Sequence, residues 1–198
     1  MIESVIFDWG GVLIDDPAPP RLRYCAEALA VPQRRLADAI SKFIVDFQKG
    51  SIAENAFWER VCAELNAPTP TASSLWADGF KAAYAPRQDM FSLAARLHQQ
   101  GCKTAVLSNT EAPAMQHFLD LRYDMFDVLV FSCVEGVRKP ERRIYEITVE
   151  RLATPPDRVL FIDDDPQYIN AAKEAGLNTI LFRSIGRLKK ELARRQNC

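Results

Sequence analysis

Three apolar runs in this chain end on residues that can do chemistry. Val5-Ile6-Phe7 ends on Asp8 and enters the turn Trp9-Gly10-Gly11-Val12-Leu13. Lys103-Thr104-Ala105-Val106-Leu107 ends in Ser108-Asn109-Thr110, and Val159-Leu160-Phe161-Ile162 ends in Asp163-Asp164-Asp165. A carboxylate delivered by a buried strand to a glycine-rich turn is a candidate nucleophile. Its attack on phosphorus gives an acyl-phosphate that water hydrolyses, dividing one hard step into two easier ones. A serine hydroxyl followed by backbone N–H groups can hold a phosphoryl oxygen. Three adjacent carboxylates repel one another and raise their pKa values unless a cation sits among them. Magnesium suits such a place, because it takes one or two carboxylates together with phosphate oxygens and water. Asp165 has a structural use instead: an Asp N-cap followed by Pro166 at the first helical position is a helix start.

The elements that must position these groups are legible as strands and helices in alternation. Buried strands are expected at about 4–8, 103–108, 128–132, 159–163 and 179–182, mostly continuous Val/Ile/Leu/Phe runs of the kind covered on both faces. Helical spacing appears at Phe91, Ala94, Ala95 and Leu97 before Gly101. It recurs at Ile144, Ile147, Thr148 and Leu152 after Pro140, which is expected to start that helix, and at Ile169, Ala172 and Ala175 before Gly176. This alternation predicts an α/β fold, a doubly wound and mostly parallel sheet. Ligands of such sheets bind outside the carboxyl ends of the strands, where Asp8, Ser108 and Asp163 stand.

Residues 16–85 contain no strand-like run. Leu36, Ile40, Phe43, Ile44 and Phe47 fall on one helical face, Phe57, Val61 and Leu65 on another, and Leu75, Trp76, Phe80 and Ala83 on a third. Gly50 is expected to stop the first helix, and Ser51-Ile52-Ala53-Glu54 reads as a capping box starting the second. Pro17-Ala18-Pro19-Pro20 and Pro68-Thr69-Pro70 read as turns or linkers. The segment is therefore expected to be an all-helical cap at 16–85, hinged into a core of residues 1–15 and 86–198 and able to close over the strand ends.

Four runs in this order, Phe7-Asp8-Trp9-Gly10-Gly11-Val12-Leu13, Ser108-Asn109-Thr110, Arg138-Lys139-Pro140 with Ile144-Tyr145, and Phe161-Ile162-Asp163-Asp164, resemble the haloacid dehalogenase-like hydrolase superfamily. The nearest likeness is to its phosphatases of the sugar-1-phosphatase and epoxide-hydrolase N-terminal-domain type. The resemblance implies a Rossmann-like sheet with an inserted helical cap, and hydrolysis of a small phosphorylated substrate. It makes Asp8 the nucleophile. Magnesium would be held by Asp8, the Gly10 carbonyl and Asp164, with Asp163 as ligand or support. Ser108 and Lys139 would grip the phosphoryl group, beside Gly11 and Asn109. Lys139 would also keep Asp8 ionised and neutralise charge in the transition state. Asn109 is open between orienting substrate and capping the next helix, and Arg138 is expected to be solvated. Where this chain has Tyr168 the family often has Asn, which leaves a supporting hydrogen bond of the metal site in question.

Gly10 departs from the pattern. Typical phosphatases of the family carry there a second aspartate, which protonates the leaving group and then activates water; such help is worth ~10²–10⁴-fold in rate. Asp15, Asp16, Glu111 or a residue of the cap could substitute, and nothing in the sequence selects one; Asp15 and Asp16 suit a hinge or helix cap at least as well. The absence of that acid keeps two rivals in view. One is a dehalogenase using Asp8 on carbon, since halide leaves without a proton; the other is an inactive fold that binds a metabolite or partner.

A formal net charge of −1 implies no general attraction to nucleic acid or anionic membrane. No apolar stretch approaches the ~20 residues needed to span a bilayer, and the first residues lack a signal-peptide pattern. Five scattered cysteines without a CxxC pair argue against a cysteine metal site and suit a cytoplasmic setting. His98 and His117 have no ligand spacing and read as surface or packing residues. Cys198 reads as a free thiol. The basic stretch Arg187–Arg195 reads as the polar face of a last helix, its cations suited to the helix dipole.

Overall fold

A computed structural model describes residues 1–194. Strand β1 (Ser4–Phe7) is followed by five helices, α1 (Ala18–Ala28), α2 (Gln33–Ser41), α3 (Ile44–Gln48), α4 (Glu54–Leu65) and α5 (Leu75–Ala83). The chain returns through α6 (Gln88–Gln99) to β2 (Lys103–Ser108), α7 (Ala112–Asp120) and β3 (Val128–Phe131). The short α8 (Ser132–Glu135), α9 (Arg142–Leu152), β4 (Val159–Asp163), α10 (Pro166–Glu174), β5 (Asn178–Leu181) and α11 (Ile185–Arg194) complete it.

The five strands form one parallel sheet in the order β3-β2-β1-β4-β5. The strand order reverses between β1 and β4, the switch point where such sheets open a crevice for ligands. Register brings the chemistry to that crevice: Phe7 pairs with Val106 on one side and Ile162 on the other. The next residue of β1, Asp8, therefore lies level with the ends of β2 and β4, and its N–H donates to the Ile162 carbonyl at 2.9 Å.

Successive strand residues face opposite sides, so each face of the sheet has its own core. Val5, Phe7 and Ile162 pack with Met90, Phe118 and Leu188, while Ile6, Leu107 and Phe161 pack with Tyr145 and Ile169. The insertion between β1 and α6 has a third cluster around Leu36, Phe47, Phe57, Trp58 and Trp76, with Phe47 stacked on Phe57 at 4.5 Å. The two strands of chain that enter and leave it run side by side. Ile14 bridges to Pro86, Asp15 N–H donates to Ala85 O, and Arg87 Nε lies 2.8 Å from Asp15 Oδ1.

Four local expectations are corrected. Pro19 and Pro20 lie in the first turn of α1, where their missing N–H groups are unneeded, so the proline run opens a helix. The stripe from Leu36 to Phe47 is split at Lys42–Phe43 into α2 and α3. Ser51 caps nothing; α4 begins after Ala53, and Glu54 instead accepts from Trp58 Nε1, Trp76 N and Ser74 Oγ. Pro140 lies in a turn, and α9 starts at Arg142 with Glu141 before it. Asp165 is the N-cap of α10, accepting from Gln167 N at 2.7 Å. Among the described residues, no helix is long and apolar enough to cross a membrane. Cys198 and the last residue of the basic stretch lie outside the described residues.

Candidate active site

The sheet edge brings together Asp8, Ser108, Lys139, Asp163 and Asp164. Asp8 Oδ1 accepts from its neighbour Trp9 N–H at 2.7 Å and pairs with Lys139 Nζ at 2.8 Å. Both bonds fall on one oxygen, which leaves Oδ2 unengaged by them. Lys139 Nζ also lies 2.6 Å from Asp163 Oδ2. Lys139 is 1% exposed and Asp163 fully buried, so this ammonium sits between two carboxylates out of water. The other oxygen of Asp163 accepts from Asp165 N–H at 2.8 Å. Asp163 thus holds both Lys139 and the start of α10.

The electrostatics follow from burial. Burial lowers the pKa of Lys139, but Asp8 and Asp163 outweigh it and raise it above the ordinary lysine value. Asp8 goes the other way: burial raises its pKa well above the ordinary carboxylate range, Lys139 offsets part of this, and Asp163 and Asp164 add to it. Asp164 is also raised, first by burial and then by Asp163. Three carboxylates thus share one cation, and oxygens of Asp8, Asp163 and Asp164 lie within 4.8 Å of one another. Such a set fits a hard divalent cation, which takes oxygen donors and lowers carboxylate pKa values. Gly11 completes the fit: at φ +85° it has a backbone that favours glycine, and a side chain there would collide with the Asp164 carboxylate.

Ser108 is buried, its Oγ 3.1 Å from Thr110 Oγ1. Asn109 neither caps α7 nor stands free. Its Nδ2 donates to Lys139 O at 2.9 Å and its Oδ1 accepts from Lys139 N–H at 2.8 Å, so it grips the lysine's backbone on both sides. Tyr168, in the first turn of α10, puts its ring 4.9 Å from Lys139 Nζ and its hydroxyl 3.3 Å from Asn109 Nδ2. An aromatic thus contacts the lysine where an asparagine was expected.

Beside these groups, over the turn that follows Asp8, lies a cleft of about 180 Å³. Its floor includes Gly10, Ser108 and Asn109, and its walls include Arg21 and Gln48 of the insertion. Arg138 is corrected from a solvated residue: it is half-buried, lines this cleft and places Nη2 3.4 Å from Tyr168 Oη. Gly10 has no side chain to act with, and a Cβ there would stand 3.2 Å from Cδ of Pro17. Asp16 accepts from Ala18 N–H at 2.9 Å and Asp15 pairs with Arg87, so both serve the entry to the insertion. Glu111 lines the cleft as a fixed acceptor, taking Trp76 Nε1–H and Gln48 Nε2–H at 3.0 Å each, with Arg21 Nη1 at 3.9 Å. Arg21 and Gln48 belong to no sequence motif and come to the cleft from the insertion. His98 lies 3.3 Å from Asp127 and His117 packs against Phe80 and Tyr84; neither histidine lines the cleft.

Comparisons with known proteins agree with this arrangement. The model of the haloacid dehalogenase-like hydrolases matches residues 2–176. The mouse protein acyl-CoA dehydrogenase family member 10 is 31% identical over 89% of this chain, which spans only 17% of that protein's length. The sesquiterpene phosphatase of Aspergillus oryzae is 24% identical, over 88% of this chain and 87% of its own. Among solved structures, a HAD family enzyme of Bacteroides thetaiotaomicron superposes with a TM-score of 0.80 at 18% identity, covering 95% of this chain and 98% of that one. The same enzyme in complex with magnesium and inorganic phosphate gives 0.77, covering 95% and 99%. The chain belongs to the haloacid dehalogenase-like hydrolases.

Proposed function

We propose that this chain is a magnesium-dependent phosphatase of small phosphate monoesters, with Asp8 as the nucleophile. The observation that carries the reading is the buried group of Asp8, Asp163 and Asp164 around one lysine, next to a cleft lined by Gly10 and Ser108. Asp8 Oδ2, not engaged by Lys139 or Trp9, attacks phosphorus as the bond to the ester oxygen breaks. That oxygen leaves as the alcohol by taking a proton from water, and water then hydrolyses the aspartyl-phosphate on Asp8. Lys139 holds Asp8 in place and stabilises charge on the phosphoryl oxygens, with Ser108 donating its hydroxyl. Asp8, the Gly10 carbonyl and Asp164 would hold magnesium, with Asp163 anchoring Lys139 and α10. When bound, magnesium neutralises phosphate charge and keeps Asp8 ionised. Residues 16–85 act as a cap over a core of 1–15 and 86–198, excluding water and choosing the leaving group. A cleft of about 180 Å³ is below the usual range for ligand pockets, which suits a compact group next to the phosphate.

The missing acid at Gly10 favours one rival, attack of Asp8 on a carbon that bears halide. Both readings are tested by one screen: phosphate monoesters with magnesium, and 2-haloacids without it, each with Asp8→Asn as control. The phosphatase reading expects phosphate release that stops with chelator and in Asp8→Asn. Halide release without metal, or phosphate release surviving either treatment, overturns it.

A further inference from the structure

We propose that the cleft over Gly10 and Ser108, next to Asp8, continues into an apolar groove of the helical insertion that holds a hydrocarbon tail, so the favoured substrate is the phosphate monoester of an amphiphilic alcohol. This rests on the phosphatase reading and deepens it. The groove has a volume of about 330 Å³ and lies among α1, α2, α3 and α5, against Leu22, Cys25, Ile40, Ile44 and Trp76. The insertion packs four aromatic rings closely at its centre (Phe47, Phe57, Trp58 and Trp76), yet keeps this space beside them.

Continuity with the catalytic cleft identifies the occupant. Ala18, Arg21 and Gln48 line both spaces, and the cleft on the far side of these three reaches Gly10 and Ser108. A phosphoryl group seated at Asp8 thus has its leaving-group oxygen on the side from which the groove opens. Arg21 does not make the passage a charged barrier. Its guanidinium lies 4.0 Å from the centre of the Trp76 ring and 3.9 Å from Glu111 Oε2, so the head is engaged and the methylene stem can cover apolar surface. Beyond the passage the lining offers almost nothing to recognise hydroxyls or charge. Cys25 is a neutral thiol pushed up to about 11 by burial, and Ser41 stands exposed at the outer end. At roughly 30 Å³ for each water-sized group, the space takes a tail of about ten heavy atoms before it emerges.

The test uses the full chain with magnesium and a series of n-alkyl monophosphates from ethyl to dodecyl, kept below micellar concentrations. Burial of each methylene is worth up to about fourfold in affinity. The expected result is kcat/KM rising by roughly two- to fourfold per carbon and levelling near a ten-carbon chain. Filling the groove with Ala37→Trp, or Ser41→Trp at the outer end, should flatten this rise and leave ethyl phosphate unchanged. Calorimetry with n-alkylphosphonates gives a readout that needs no turnover: binding should tighten with chain length, with an increasingly negative heat-capacity change. Equal kcat/KM across the series, or a rise that survives both filling variants, overturns the groove proposal and spares the phosphatase reading. Chain-length-dependent phosphonate binding without hydrolysis of any phosphate supports the groove and sinks that reading instead.

Discussion

Asn109 grips Lys139 through both polar groups of the lysine's backbone, with 2.9 Å from Nδ2 to the carbonyl and 2.8 Å from the N–H to Oδ1. The residue after the strand-end serine of β2 thereby fixes a lysine thirty positions later, whose ammonium joins Asp8 to Asp163. Asn109→Ala should leave Lys139 charged but free to drift. A displacement near 1 Å costs about 10²-fold when reacting groups must be aligned, so kcat should fall by roughly one to two orders of magnitude with KM little changed. Asn109→Asp keeps the acceptor and loses the donor, and should fall between. Loss of substrate binding alone, at unchanged kcat, would assign Asn109 to substrate instead.

Lys139 itself should matter more for stability than a surface ion pair. Breaking a buried pair by removing one partner costs about 3–5 kcal/mol, and here removal leaves Asp8 and Asp163 facing each other. Lys139→Ala should destabilise the metal-free chain by about that amount, read by chemical denaturation, and magnesium should restore part of it.

The pH dependence follows from Asp8. Its pKa is raised in the folded state, mainly by burial, so the native metal-free chain holds that proton more tightly than the unfolded chain does. The associated stability is present below the ordinary carboxylate range and is lost as pH rises through the elevated value. Saturating magnesium should therefore raise the melting temperature more at about pH 7.5 than at about pH 4.5. By the same reasoning Asp8→Asn should melt higher than the wild type without metal at neutral pH. A magnesium effect independent of pH would mean that Asp8 and Asp164 are not its ligands.

Gly10 allows the missing acid to be put back. A Cβ at this position meets only Pro17 at 3.2 Å, a contact relieved by a shift of a few tenths of an ångström. Gly10→Asp should speed hydrolysis of alkyl phosphates, within the ~10²–10⁴-fold that such help is worth, and leave activated aryl phosphates nearly unchanged. Equal effects on both classes would show that protonation of the leaving group does not limit the rate.

Glu111 ties the insertion to the sheet by accepting from Trp76 and Gln48. Trp76 and Gln48 bond different oxygens of Glu111, so Glu111→Gln keeps one acceptor and sets its NH2 against the other donor, and an unsatisfied buried group costs about 1–3 kcal/mol. Melting should drop by roughly 2–4 °C for each kcal/mol lost in a chain of this size. Unchanged melting would mean that the seam is held elsewhere.

Much of this was readable from residue order because parallel strands buried on both faces leave continuous apolar runs. Asp8, Ser108 and Asp163 were placed by the ends of those runs alone. What stayed hidden depends on contacts distant in sequence. Glu54 looked like half of a capping box, but its carboxylate serves Trp58, Ser74 and Trp76, and local pattern does not reveal such partners. Arg138 looked solvated because nothing local shows that Tyr168 lies over it. Arg21 and Gln48 carry no motif; they reach the cleft only because the insertion folds back onto the end of β2. The proline run misled for a local reason, since proline suits a first helical turn as well as a linker.

The central claim is that phosphate passes through Asp8, and peptide mass spectrometry after an acid quench tests it directly. During magnesium-dependent turnover of a phosphate monoester, the peptide containing Asp8 should carry a phosphoryl group that disappears as substrate is exhausted and never forms in Asp8→Asn. Steady turnover with the Asp8 peptide unmodified, or a transient adduct on another residue, would contradict the account.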